Sequence, residues 1–208
     1  MDVPPEAPGI HQVLSHNRRL FYRHMARRIA LALALFAAAY VAHVVGWDAT
    51  WPALGAPAGL FVLFFLALRL GHGARLNVCQ KVLYTYPLEY RTRVTKKSTE
   101  WKYLGDVHTV RLSVRGQHGA PYLRAINAST VRRWPKGAEE GGAWFAGDVA
   151  FGGVMVVPGS NDMLFVQPAD WVKYEQERLQ AGPQRRALAE QAGIAQLLEK
   201  EPQILVHG

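Results

Sequence analysis

Eleven Lys and Arg residues fall between Arg91 and Lys136, and they are the residues of this chain whose type and spacing could do chemistry. They are Arg91, Arg93, Lys96, Lys97, Lys102, Arg111, Arg115, Arg124, Arg132, Arg133 and Lys136, with Glu100 and Asp106 the only acids among them and Glu89 just before. Tyr90, Trp101, Tyr103, Tyr122 and Trp134 are interleaved with the bases. If the segment is built of strands, alternate residues share a face, and one face can be strongly positive. The chemistry open to such a face is ionic contact and stacking. Small β-barrels hold single-stranded nucleic acid that way. Anionic lipid is held by the same charges at about 1 kcal/mol per base near the surface. A solvated face with no ligand fits the composition equally well.

Other reactive types are sparse. Asp148, Asp162 and Asp170 sit where a turn or helix cap is expected. His108 and His118 are ten residues apart without a third ligand nearby, which is short of a zinc site. Cys79 is the single cysteine, so no internal disulfide can form; a small buried residue is the default, with palmitoylation or redox chemistry as alternatives. The nucleophile-elbow, zincin and phosphate-loop patterns are missing. No catalytic residue, metal or cofactor is expected, and no small-molecule substrate is evident.

What must position the basic segment is a membrane anchor. Ile29 to Val45 (IALALALFAAAYVAHVV) carries no charge, and the helix from Ile29 to Trp47 is about 28 Å long, close to a hydrocarbon core. Trp51 to Leu70 forms a second stretch with Arg69 as its one charge, near the end. The connector GWDAT is short, so a helical hairpin is expected, with Trp47 and Trp51 in an interfacial aromatic belt. Bases cluster before the first span (Arg18, Arg19, Arg23, Arg27, Arg28) and after the second (Arg69, Arg75, Lys81), while the connector has none. Both termini are therefore expected in the cytoplasm of a multi-pass inner-membrane protein. The net charge of +8 is accounted for first by this topology and then by an anionic partner. Ala30, Ala34, Ala38 and Ala42 recur every fourth residue, and Gly55 and Gly59 form a GxxxG, so both seams are candidates for close helix packing.

Five regions follow. Residues 1–28 form an N-terminal arm, whose HNRRLFYRHMARR run could lie as a basic amphipathic helix in the headgroup layer. Residues 29–47 and 51–70 are the spans. Residues 76–168 read as an antiparallel β barrel or sandwich of six or seven short strands, including VLYTY (82–86) and LEYRTRV (88–94). In the latter Arg91 and Arg93 share a face. The clearest hairpin pairs VHTVRLSV with PYLRAIN, with Val110, Leu112 and Val114 facing in. Gly152 and Gly153 suggest a bulge or a barrel corner. Residues 169–200 read as two helices broken at Gly182 and Pro183, the first capped by Asp170.

The segments CQKVLYTYP, WFAGDVAFGGVMVVPG and LFVQPADW resemble those of small two-span membrane proteins of high-GC actinobacteria, over roughly residues 20 to 175. The resemblance implies the same anchor and C-terminal β domain, and it carries over no functional residue. The expected class is thus α+β with a membrane hairpin. The expected role is a non-enzymatic adaptor or scaffold that presents a basic domain to a protein partner, to another copy of itself, or to the inner leaflet. A membrane tether for nucleic acid is the alternative.

Overall fold

The computed structural model describes residues 4–46, 54–68, 71–102, 105–114, 120–129 and 134–195. It is an α+β protein. Helix α1 (Ile10–Val44) is a single unbroken helix of 35 residues, about 52 Å long. Its two halves live in different surroundings. In the first, Val13, Leu14, Asn17, Phe21 and Met25 are buried, a stripe at helical spacing. These apolar side chains join one core cluster with Val154, Val156, Met163 and Phe165 of the sheet. The amphipathic N-terminal run therefore spends its apolar face on the domain and not on the headgroup layer. In the second half Leu31, Leu33, Tyr40, Val41 and Val44 are exposed. Among the described residues α1 alone is long and apolar enough to cross a membrane.

Helix α2 (Gly55–Leu68) is wholly apolar but spans 14 residues, about 21 Å. It lies against the second half of α1. A Cβ on Gly55 would sit 2.8 Å from the Leu35 carbonyl oxygen, and one on Gly59 would sit 2.9 Å from the Phe36 ring. The GxxxG is thus a contact face. The alanine seam is not: Ala30, Ala34 and Ala38 are exposed and only Ala42 is buried, whereas Ala32 is buried and Ala39 approaches Gly55. The reason is geometric. A repeat of four drifts about 40° per step around a helix of 3.6 residues per turn. A contact stripe between two helices instead alternates steps of three and four, as 32, 35, 39 and 42 do.

Helix α3 (Gly71–Thr85) runs beside α1, with Arg18 donating to Gln80 Oε1 at 2.6 Å and His11 edge-on to Tyr84. It takes in Val82 to Thr85 of VLYTY, a run whose β-branched and aromatic composition suggests a strand. Leu76, Cys79, Val82 and Leu83 are buried together at helical spacing, and that packing overrides strand propensity.

Seven strands form one antiparallel sheet: β1 (Glu89–Arg91), β2 (Arg93–Lys102), β3 (Gly105–Ser113), β4 (Tyr122–Asn127), β5 (Ala143–Asp148), β6 (Gly152–Val156) and β7 (Met163–Pro168). Their spatial order is β1-β5-β6-β7-β4-β3-β2. Strands β1 and β2 therefore occupy opposite edges although only Thr92 separates them. A two-residue link spans at most about 7 Å, so the sheet must curl until its edges nearly meet. Close approach at one corner helps: Gly147 has φ 141°, and a Cβ on Gly153 would lie 2.3 Å from the Ala146 carbonyl oxygen. The loop 134–142 bridges the remaining gap. Tyr90 donates to the Gly141 carbonyl on the β1 side, and the Lys96 N–H donates to Glu139 on the β2 side.

The curled sheet has an inner face, where a second cluster takes Val94, Val110, Leu123, Phe145, Met155 and Leu164 from β2 to β7 in turn. Its outer face divides. Among the described residues the β5–β7 half packs against the helices, and no comparable helix packing covers the β2–β4 half. After β7 the chain turns at Asp170, whose Oδ1 accepts the Lys173 N–H; α4 (Glu175–Leu179) starts only after that turn, so Tyr174 and not Asp170 stands at its N-cap. Helix α5 (Pro183–Gln191) begins after Gly182, as the break at that position required, and Arg185 ties it to Asp148 with contacts of 2.7 and 2.9 Å. Val114, expected inside, is exposed just beyond the end of β3.

Candidate functional site

Strand alternation sorts the bases. Register pairs Arg93 with Ser113, Thr95 with Arg111, Arg111 with Tyr122, and Thr109 with Arg124. Paired residues point to the same side, so Arg93, Arg111, Tyr122 and Arg124 all lie on the outer face. Their sequence neighbours Val94, Val110, Leu112, Leu123 and Ala125 are buried on the inner face. Inner burial of one residue in two thus fixes which bases face outward. A register shift between Lys96 and Ser98 adds Lys97 to this group. Its Nζ lies 4.9 Å from the Tyr122 ring centroid, and the Arg111 guanidinium lies 4.2 Å from the same centroid. Tyr122 is half-exposed between strands that offer it two cations.

The remaining bases do not join them. Arg91 ends β1 at the other edge of the sheet, paired with Glu89 Oε2 at 2.6 Å and set over the Phe145 ring. Arg91 and Arg93 therefore sit on opposite faces, because the chain breaks from one edge strand to the other at Thr92. Lys96 lies over the Trp134 ring on the inner side. Lys102 closes β2 opposite Gly105, and Arg115, Arg132 and Arg133 lie outside the described residues.

Pairing of β4 with β7 brings a distant segment to the same place. The start of β4 meets the end of β7, and the Ala169 N–H donates to the Tyr122 carbonyl at 3.0 Å. The turn that follows lays Asp170, Lys173 and Tyr174 beside Arg111 and Tyr122, around a half-open cleft of about 390 Å³. The sequence does not place Lys173 or Tyr174 with the bases, since some sixty residues separate them from Arg111. The Asp170 cap was the only local sign of a built turn there. The Nε of Arg111 is buried without a hydrogen-bond partner. Burial, then Glu177 and Asp170, push the Tyr174 hydroxyl above its ordinary range, so it stays a donor.

The inner face holds one other ionisable group of interest. His108 is buried, with Nδ1 2.9 Å from Thr99 Oγ1 and its ring edge-on to Trp134. Burial, then nearby Lys96, hold its pKa below the usual value, against a smaller opposing pull from Asp106. It is a neutral core histidine at pH 7. Cys79 is fully buried on α3, its thiol pushed up to about 12 by burial, against a weaker lowering by Arg75. Such a group is a poor nucleophile. Among the described residues no three His, Cys, Asp or Glu side chains gather as a metal set. No protein-family model matches the chain, and it matches none of the curated proteins and none of the solved structures compared with it.

Proposed function

We propose that this chain is a non-enzymatic scaffold of the inner membrane, in which α1 and α2 cross the bilayer as a hairpin with both termini in the cytoplasm. The β domain is then held at a fixed height, and its β2–β4 outer face presents Arg93, Lys97, Arg111 and Arg124 to an acidic protein partner or to the anionic inner leaflet. The observation that carries this reading is the continuity of α1. One helix is locked into the domain core at Val13, Asn17 and Phe21 and continues without a break into an apolar, exposed half. Exposed Leu60, Phe61, Phe64 and Phe65 extend the same apolar belt onto α2. A belt of this kind has no stable place in water, and a stiff stem leaves the domain no freedom to swing away. Nothing in the pairing of α1 and α2 conflicts with lipid, where small residues permit close contact.

The test has two parts. Alkaline washing should leave the full chain in the membrane pellet, and a reporter fused after Gly208 should read as cytoplasmic. A photo-crosslinker at Thr95, between Arg93 and Lys97, should then give one dominant adduct, to an acidic protein or to phospholipid. Release by the wash, an external reporter, or a smear of unrelated adducts would each overturn the scaffold reading. The half-exposed Tyr122 ring with its two cations favours a second reading, nucleic-acid tethering. That reading requires binding of single strands with a steep salt slope of about −0.7 per phosphate contact.

A further inference from the structure

We propose that the cleft between the start of β4 and the β7–α4 turn is a binding site for a phosphate group, free in solution or carried on a lipid headgroup. The inference rests on the reading of the β2–β4 outer face as the one that meets anions, and narrows it to a single place. Three features of the cleft converge. Its volume, about 390 Å³, falls in the range of small-ligand sites rather than of packing gaps. Its floor carries the Arg111 guanidinium, whose Nε is buried and has no acceptor. A buried donor left in that state is costly, and a small rotation of the guanidinium toward an anion in the cleft would remove the cost. Its lining also includes Lys173, whose exposed side chain is long enough to close over a ligand.

The pairing of these two bases selects for phosphate. Arg presents a planar fork that takes two oxygens side by side, and Lys supplies a point charge that reaches a third oxygen from another direction. A tetrahedral anion offers a third oxygen out of the plane of the fork; a planar carboxylate has only its two in-plane oxygens to share between the two bases. The Tyr174 hydroxyl remains a donor, and the Tyr122 ring gives a flat apolar wall for whatever the phosphate is attached to. Asp170, the one acid of the cleft, turns Oδ1 to the Lys173 backbone N–H at 3.0 Å and keeps its charge, but Arg111 and Lys173 outnumber it.

Calorimetry on the full chain in neutral-detergent micelles tests the site. Inorganic phosphate and glycerol phosphate should each bind saturably to one site, above a chloride control of equal ionic strength. Lys173→Ala, at an exposed position, should weaken binding about tenfold, as should Arg111→Lys, which keeps charge and loses the fork. Arg186→Ala, on α5 and outside the cleft lining, should leave it unchanged. Nanodiscs separate the two sources. If phosphatidylglycerol discs, but not zwitterionic ones, abolish binding of free phosphate, the headgroup is the resident ligand; equal binding in both makes it a soluble phosphate. Heat no greater than that of chloride, or wild-type binding by both cleft variants, would overturn the site. If phosphate binding survives those variants but falls in Arg93→Ala and Lys97→Ala, the anion-facing surface stands and the cleft does not. If phosphate does not bind and the Thr95 crosslinker gives no dominant adduct, both readings fail.

Discussion

Replacing Asn17 by Ala should detach the stem of α1 from the sheet at a cost of about 2–3 kcal/mol. Asn17 is fully buried, and its amide makes three contacts. Nδ2 donates to the Val13 carbonyl at 2.8 Å and to the Asn161 carbonyl at 2.8 Å, and Oδ1 accepts the Met163 N–H at 3.2 Å. The last of these replaces a ladder bond. Strand β4 ends at Asn127; the Ala128 N–H still reaches the Met163 carbonyl, but the Met163 N–H turns to the helix instead. In the Ala variant a fully buried N–H loses its partner, costing about 1–3 kcal/mol, and the Asn161 bond adds about 1 kcal/mol. The Val13 contact adds little, because that carbonyl keeps its helical partner. Ala gains roughly 0.6 kcal/mol in helix propensity over Asn, which offsets a small part. Loss of contacts wins. Urea unfolding of the full chain in detergent, followed by tryptophan fluorescence, reads the total, and hydrogen exchange at the Met163 amide reads its cause. Asn17→Asp makes the argument sharper. It keeps an acceptor for Met163 but sets a carboxylate against the Asn161 carbonyl, so stability should fall while the Met163 amide stays better protected than in the Ala variant. A loss below about 0.5 kcal/mol for Asn17→Ala, the level of ordinary surface changes, would refute the reasoning.

Three further outcomes follow from the same structure. Gly55→Ala should lower the melting temperature in detergent more than Gly59→Ala, because the new methyl meets the Leu35 backbone oxygen at 2.8 Å in the first case and a rotatable Phe36 ring in the second. Overpacking of that kind costs about 1–3 kcal/mol, and the reverse order would count against the contact. His108 has its folded pKa depressed below 6.5, so the unfolded chain binds its proton first as pH falls. Stability should therefore drop from about pH 6.5 downward, and urea midpoints of His108→Gln across this range should lose that component of the slope. Cys79, buried with its thiol raised to about 12, should resist maleimide at neutral pH and react only on unfolding, as mass spectrometry would show.

The β domain was legible where one face is buried. The alternation of Val110 and Leu112 with Arg111 and Ser113 placed β3, and its return through Leu123 and Ala125 placed β4, because a strand that buries one face writes period two into its sequence. Gly152 and Gly153 marked a close approach and not a bulge: β5 and β6 stay in register there, and only a residue without Cβ lets Gly153 lie as near Ala146 as it does. The helical elements were harder. Residues 82–86 carry strand-forming types, but Val82 and Leu83 continue a helical stripe that begins at Leu76, visible only when the window is extended across the end of the second apolar stretch. The N-terminal run showed an amphipathic helix without showing what its apolar face meets. Sequence cannot distinguish a lipid surface from the Met163 and Phe165 side chains of a sheet more than a hundred residues away.

The cleft was illegible for a deeper reason. Spacing along the chain brings bases to one face only inside a continuous strand, and the eleven bases looked like one patch because they were read that way. Two long-range events decide otherwise. The break at Thr92 sends Arg91 and Arg93 to opposite edges, and the bulge at Lys97 brings that base over Tyr122. Then the pairing of Leu123 with Pro168 fixes the end of β7 beside the start of β4, and so delivers Lys173 and Tyr174 to Arg111. The face is smaller than composition suggests, yet better built. Charge density counted along a sequence overstates the number of bases that share a face and misses Lys173, the base that chain topology brings into the cleft beside Arg111.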